Sequence, residues 1–243
     1  MKPSVLVTGA SQGIGAATAR LMSQEGAQVF VADINAESGN AVANEIGGRF
    51  VQLDVASESA WQSTLAGLER DIPRLDILVN NSGALDGGPL DELALETWKK
   101  VIDVNLTGAF LCTQHALKLM KSQTPKGGRI INNGSVSAQV PRPQAVSYTA
   151  SKFGLTGLTQ TTALEGRADS IACGQIDIGN ADTDMGGHVA RGMLQANGSI
   201  APESTMHVDN VARGVAYMAS LPLDANVLSL TVMANQMPLV GRG

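Results

Sequence analysis

The sequence holds little of what several kinds of protein chemistry need. Only 3% of its 243 residues are aromatic, with two tyrosines, and it has two cysteines and three histidines. Cys112 and Cys173 stand in apolar helix-like and strand-like contexts at no metal-type spacing, so they are expected in the core of a reduced protein. His115, His188 and His207 are scattered, and no metal is expected. No run of Lys or Arg occurs, the net charge is −5 and the pI is near 5.2. That balance argues against a nucleic-acid or anionic-membrane surface and for a small-molecule partner. Met1 to Thr8 is too short for a signal peptide, and no apolar run approaches the roughly 20 residues of a membrane span. A cytoplasmic location is expected.

What the chain does have is a core-forming composition, 44% hydrophobic and 16% charged, and an alternation of two periodicities. Ser4 to Thr8 is a short β-branched run, followed by glycines and an Ala-rich segment to Glu25 with Ile14, Ala17 and Leu21 on one face. Strand-like runs recur at Gln28 to Asp33, Arg49 to Asp54, Leu75 to Asn80, Arg129 to Gly134, Ile171 to Ile176 and Val227 to Met233. Helices are predicted at Ala36 to Ile46, Glu58 to Arg70, Asp91 to Ser122, from Tyr148 onward and at Val208 to Ser220, with an irregular stretch from Ile176 to about Met206. Short apolar strands alternating with helices imply a parallel sheet covered on both faces. The expected fold is a doubly wound α/β sheet in three layers, one domain over residues 1–243.

Between the first strand and the first helix stands Thr8-Gly9-Ala10-Ser11-Gln12-Gly13-Ile14-Gly15. Glycines there let the backbone turn sharply and let a pyrophosphate approach the amides of a helix N-terminus, as in a Rossmann fold. The position of the motif carries more weight than its spacing. Asp33 ends the second strand, the next one after the glycine turn. A carboxylate at that point accepts hydrogen bonds from the adenosine ribose hydroxyls and repels a 2′-phosphate. With no Arg or Lys in the glycine loop or directly after Asp33, NAD is expected in preference to NADP. The simpler role for such an aspartate is to cap the next helix.

The second constellation is Ser135, Tyr148 and Lys152. Tyr148 opens a helical segment and Lys152 lies four residues on, so the two share a face. A free phenol is a poor base at neutral pH. An ammonium about 4 Å away, at an effective dielectric of about 20, is worth on the order of 4 kcal/mol in favour of the phenolate. A serine hydroxyl at the same spot can hold a carbonyl or alcohol oxygen while the tyrosine gives or takes the proton. The set suits interconversion of an alcohol and a ketone. The plain alternative is a tyrosine–lysine pair on a helix surface.

These residues resemble the classical short-chain dehydrogenase/reductase family over nearly the whole chain. T-G-A-S-Q-G-I-G matches the family's T-G-x-x-x-G-x-G, Asp54-Val55 its adenine-side D-V, and Asn80-Asn81-Ser82-Gly83 is similar to its N-N-A-G. Asn105 matches the lone Asn of its long central helix, and Ser135, Tyr148 and Lys152 match its serine and Y-x-x-x-K, at the family's separation of serine from tyrosine. The resemblance implies a catalytic tetrad of Asn105, Ser135, Tyr148 and Lys152, with Asn105 supporting a water-linked relay to the lysine. It implies a cofactor site of Gly9, Ser11, Gln12, Gly13, Ile14, Gly15, Asp33, Asp54, Val55, Asn81, Ser82, Gly83, Tyr148, Lys152, Ile178, Gly179 and Thr183. It also implies a homotetramer or homodimer.

Two features depart from the family. Ile178-Gly179 stands where Pro-Gly is usual after the sixth strand, which implies a freer backbone beside the nicotinamide, and Ala234-Asn235-Gln236-Met237-Pro238 replaces a C-terminal D-G-G. Residues 180–205, with His188, Arg191, Glu203 and the methionines Met185 and Met193, are expected to form a substrate lid. The expected function is NAD-dependent oxidation of a secondary alcohol, or the reverse reduction, with Tyr148 as acid/base. The alternative is an NAD(H)-binding sensor with little chemistry.

Overall fold

Every residue of the first strand, β1 (Ser4–Thr8), is buried, as a strand must be when it lies in the middle of a sheet covered on both sides. The computed structural model describes residues 2–61, 74–183, 189 and 192–240. Beside β1 run β2 (Gln28–Asp33), β3 (Arg49–Gln52), β4 (Ile77–Asn80), β5 (Gly128–Asn133), β6 (Ile171–Ile178) and, at the far edge, a strand at Ser229–Val232. The sheet order is Ser229–Val232, β6, β5, β4, β1, β2, β3, all parallel. Chain order reverses between β1 and β4, and the carboxyl ends of those strands therefore diverge into a crevice.

Alternation along the strands sorts side chains into two cores. Val5, Val7, Val29, Val31, Ile77, Val79 and Ile131 face α1 (Gly13–Gln24) and a C-terminal helix, Val208–Ser220, which contributes Val211, Val215 and Met218. Leu6, Phe30, Leu78 and Ile130 face the opposite way, toward Trp61 and toward Leu111, Cys112, Ala116 and Met120 of the helix Gly108–Ser122. Each large apolar side chain so enclosed contributes about 1.5–3 kcal/mol. Burial pushes the Cys112 thiol up and that of Cys173 to about 12, which fits both as inert core residues.

Several boundaries differ from the sequence expectation. The helix expected over Asp91 to Ser122 starts at Leu95, because Pro89 to Glu92 close a turn first, and it is broken in two by a π-helical turn, Asp103–Thr107. The pieces are α3 (Leu95–Ile102) and α4 (Gly108–Ser122), after α2 (Ala36–Glu45). Strand β3 ends at Gln52 rather than Asp54, β4 begins at Ile77, and β6 runs on to Ile178 because the edge strand pairs with it as far as Val232. The stretch expected to be irregular contains two small pairings. Strand β7 (Ala181–Asp182) pairs in parallel with β10 (Met206–His207), and β8 (Met193–Leu194) pairs antiparallel with β9 (Ile200–Ala201). The edge strand is thus β11, and the last helices are α5 (Val146–Glu165) and α6 (Val208–Ser220). The helix expected to Arg70 is described only from Glu58 to Trp61, and Met185, His188 and Arg191 lie outside the described residues.

Arg129 on β5 holds the C-terminal end of α6 to the sheet. Its Nη2 donates to the carbonyls of Leu221, Pro222 and Ala225 at 2.9–3.0 Å, and Nη1 donates to Asn226 Oδ1 at 3.3 Å. These carbonyls include orphans of the helix end, the negative pole of its dipole. Arg129→Met is expected to lower the free energy of urea unfolding by about 2–4 kcal/mol without changing the slope against urea, since buried carbonyls lose their donor. A loss below about 0.5 kcal/mol would show that water replaces the guanidinium.

Candidate active site

The turn after β1 is built for close approach. Gly9 and Gly13 have φ of +61° and +55°, where a side chain is strained. A Cβ at Gly9 would come within 2.9 Å of Ser82 Cα, and one at Gly15 would overlap the carbonyl oxygen of Gly9 and meet Asn81 Nδ2 at 2.5 Å. Asn81 clasps the turn. Its Nδ2 donates to Thr8 O and Gly9 O, both at 2.9 Å, while its Oδ1 accepts from Asn133 Nδ2 at 2.6 Å. Helix α1 follows with no side-chain cap on its first amides and no acidic residue in its first turn. Its N-terminus thus presents free donors and the positive end of a dipole. Asp33 also reaches this turn. Its Oδ2 accepts the Ser11 N–H and its Oδ1 the Asn35 N–H, each at 3.0 Å.

The other constellation gathers from three elements. Ser135 follows β5 in an extended conformation, and its Oγ accepts the Ser137 N–H at 3.1 Å, which leaves the hydroxyl proton free to donate elsewhere. Tyr148 and Lys152 lie one turn apart on α5, with Lys152 Nζ 5.4 Å from the centre of the tyrosine ring. The buried ammonium donates to Asn133 O at 2.8 Å. Asn105 sits in the π-helical turn, and its side chain is fully engaged. Oδ1 accepts from Ala84 N at 2.7 Å, and Nδ2 donates to Ala84 O and to Ser151 Oγ. Ser151 in turn donates to Tyr148 O at 2.7 Å, so Asn105 braces the helix that bears the tyrosine.

A cavity of about 850 Å³ joins the two constellations. Gly9, Ser11 to Ile14, Asp33, Asp54, Val55 and Asn81 to Gly83 line it, as do Ser135, Tyr148, Lys152, Ile178, Gly179 and Thr183. Of the expected site residues only Gly15 and Asn105 do not line it, and both sit just behind its wall, Gly15 against Gly9 and Asn81, Asn105 against Ala84. Thr183 lies beside the glycine turn, its Cγ2 3.5 Å from where a Gly13 Cβ would be.

Sequence reasoning missed Arg142, which also lines this cavity. It forms a two-pronged ion pair with Glu203, Nη1 to Oε1 at 2.9 Å and Nη2 to Oε2 at 2.7 Å. Asn180 and Gln195 donate to the same carboxylate at 2.8 and 3.0 Å. Burial alone would push the Glu203 carboxyl up, but Arg142 and the two amides outweigh it and hold the group at about 2. One signal was available: an arginine between two prolines, Pro141 and Pro143, midway from Ser135 to Tyr148. Its partner Glu203, on the segment after β6, was expected in the lid, but no local pattern paired it with Arg142.

The two departures from the family pattern meet in space. Asn180 N–H points at Met237 Sδ at 3.3 Å, and a Cβ at Gly179 would overlap that sulfur and come within 2.7 Å of Met233 Cβ. Gly179 N–H also donates to Val232 O at 2.8 Å. Where a proline is absent, packing from the C-terminal segment and the Asn180–Glu203 bond pin the backbone instead, so the freer loop expected from Ile178 is not what the fold produces. Met237 and Ala234 further pack on Val136, the neighbour of Ser135.

Comparison with known proteins agrees with this geometry. The family model described as short chain dehydrogenase matches residues 3–194. A 3-alpha-(or 20-beta)-hydroxysteroid dehydrogenase of Mycobacterium bovis is 37% identical over 217 residues, 88% of this chain and 81% of that protein. A trans-4-hydroxycyclohexanecarboxylate dehydrogenase of Sinomonas cyclohexanicum is 31% identical, covering 78% of this chain and 76% of its own. Among solved structures, one titled ribose-5-phosphate isomerase from Brucella melitensis 16M superposes with a TM-score of 0.85 at 28% identity, over 96% of this chain and 91% of that one.

The Arg142–Glu203 pair has a pH signature. A carboxyl depressed from 4.5 to about 2 contributes stability that is complete above its unfolded value and is lost as pH falls toward its folded value. The wild-type protein is expected to lose about 2 kcal/mol more unfolding free energy between pH 5.5 and pH 3 than Glu203→Gln does. Parallel urea-unfolding profiles for the two proteins over that range would show that the pair is not formed in solution.

Proposed function

The chain belongs to the short-chain dehydrogenase family, and from that premise we propose that it moves hydride between NAD(H) and an alicyclic secondary alcohol or its ketone, with Tyr148 as the acid/base. The enzyme is an oxidoreductase acting on CH–OH groups, and its family uses nicotinamide nucleotides. The observation that carries the finer reading is the Lys152 ammonium, anchored by Asn133 O and set 5.4 Å from the Tyr148 ring on the cavity that the glycine turn opens.

The residues present fit the dinucleotide. The space a Cβ would fill at Gly9 and Gly15 is already occupied by backbone, so the turn can take only glycine, and uncapped amides at the start of α1 suit a pyrophosphate. Ser11 to Ile14 would hold that group, Asp33 the ribose hydroxyls, Asp54 and Val55 the adenine side, and Asn81 to Gly83 with Ile178, Gly179 and Thr183 the nicotinamide half. When bound, NAD(H) supplies the hydride acceptor or donor.

The chain's own residues then handle the proton. Ser135, its Oγ already accepting from Ser137, donates its hydroxyl proton to the substrate oxygen and fixes its position. Tyr148, as phenolate, takes the alcohol proton in oxidation and returns it in reduction, while Lys152 keeps a positive charge beside it. The side chain of Asn105 is committed to Ala84 and Ser151, so its part is to position α5 and the tyrosine on it. The steroid and cyclohexane alcohols in the relatives' names, with the apolar wall of Leu85, Val136, Pro143, Ala145, Val189 and Met193, favour an alicyclic substrate. Exposed Phe110 and Phe153 on α4 and α5 favour assembly through those helices.

Tyr148→Phe is expected to reduce kcat on alicyclic alcohols by roughly 10²–10⁴-fold with NADH affinity unchanged. Full turnover by that variant would refute the assignment. NADH bound tightly with no Tyr148-dependent turnover across a broad alcohol and ketone panel would favour a sensor instead. By titration, NADH is expected to bind at least tenfold more tightly than NADPH, and equal affinities would remove the role given to Asp33.

A further inference from the structure

Among the described residues the most deeply buried ion pair is not in the core but on the wall of the cavity. The Glu203 side chain is 1% exposed and that of Arg142 21%. The carboxylate is saturated: Oε1 accepts from Arg142 Nη1 and Gln195 Nε2, and Oε2 from Arg142 Nη2 and Asn180 Nδ2. Nη2 also donates to Asn180 Oδ1 at 3.1 Å. Pro141 and Pro143 flank the arginine, and Pro143 restricts it to an extended backbone. It cannot easily swing away.

An arginine on an apolar pocket wall is ordinarily the residue that grips a substrate carboxylate, and it does so with the two-pronged edge of its guanidinium. Here that edge is already filled by Glu203. What remains on the cavity wall is a guanidinium of cancelled charge whose Nε–H and second Nη1–H have no partner among the described residues. A neutral carbonyl or hydroxyl can accept from these donors at small desolvation cost. A carboxylate in the same place would lose its hydration and find Arg142 already neutralised by Glu203. Resting on the dehydrogenase reading above, we propose that Glu203 is a specificity-determining residue: by occupying Arg142 it makes the pocket accept alicyclic alcohols and ketones with an uncharged oxygen at the far end and reject the corresponding hydroxy and keto acids.

The test is calorimetric titration of 4-oxocyclohexanecarboxylate and of its methyl ester into NADH-saturated Tyr148→Phe protein, where binding is read without turnover. The ester is expected to bind at least tenfold more tightly than the acid. Adding Glu203→Gln restores the charge of Arg142 and is expected to shift the acid-to-ester affinity ratio at least tenfold toward the acid. Arg142→Gln serves as the second variant, expected to weaken the ester severalfold while the acid stays excluded. Equal or tighter binding of the acid by the parent, no binding of either compound, or a ratio unmoved by Glu203→Gln in a folded protein would overturn the proposal. Failure of the dehydrogenase reading shows separately, as absent NADH binding or absent Tyr148-dependent turnover, and leaves the ratio readable on the protein alone.

Discussion

The side-chain amide of Asn81 joins the carboxyl ends of three parallel strands, and the rest of the site follows from that clasp. Through Nδ2 it holds the carbonyls of Thr8 and Gly9 at the end of β1; through Oδ1 it holds Asn133 at the end of β5. Asn133 then offers its own carbonyl to Lys152, which sets the ammonium beside Tyr148. One amide thus links the glycine turn to the Tyr148–Lys152 pair. The link is possible only where strand order reverses, because only there do β1 and β4 diverge and leave a crevice above their ends. Each buried donor or acceptor so matched is spared a cost of about 1–3 kcal/mol.

A second polar chain supports the same region from below. Asn80 donates to Asn132, Asn132 to Thr159, Thr159 to Gln175, and Gln175 to Asp177, crossing β4, β5, α5 and β6. Asp177 accepts from Gln139, just beyond the turn that begins at Ser135. The absence of a Cβ at Gly134 leaves room for the Asp177 oxygen and the Gln175 amide. Ser135 is therefore fixed by its own Ser137 bond, by this network and by the packing of Val136 on Ala234 and Met237. The C-terminal segment, remote in sequence, forms part of the floor.

Much of this was readable in the chain. The strands Ser4–Thr8 and Gln28–Asp33 and the helix Val208–Ser220 have the bounds expected from periodicity, because buried apolar runs and an amphipathic stripe are local signals. The glycine turn and the Tyr148–Lys152 spacing were legible for the same reason: a turn after a strand and one helical turn are short-range geometry. The π-helical break at Asp103–Thr107 was not, since it depends on the Asn105 amide finding Ala84, well before it in the chain. Nor were the short pairings of β7 with β10 and β8 with β9, whose two-residue strands carry no periodicity.

The sequence by itself determined the alternation of strands and helices, the glycine turn, and the placing of Tyr148 and Lys152 one helical turn apart. Those properties reside in residue type and in spacings of a few residues. Only the tertiary structure decided that Gly179 and Asn180 pack on the unusual C-terminus, and that Arg142 meets Glu203 on the segment after β6. Each of these pairs joins segments far apart in the chain. Contact at that range is set by how the sheet and helices pack, and no local pattern records it.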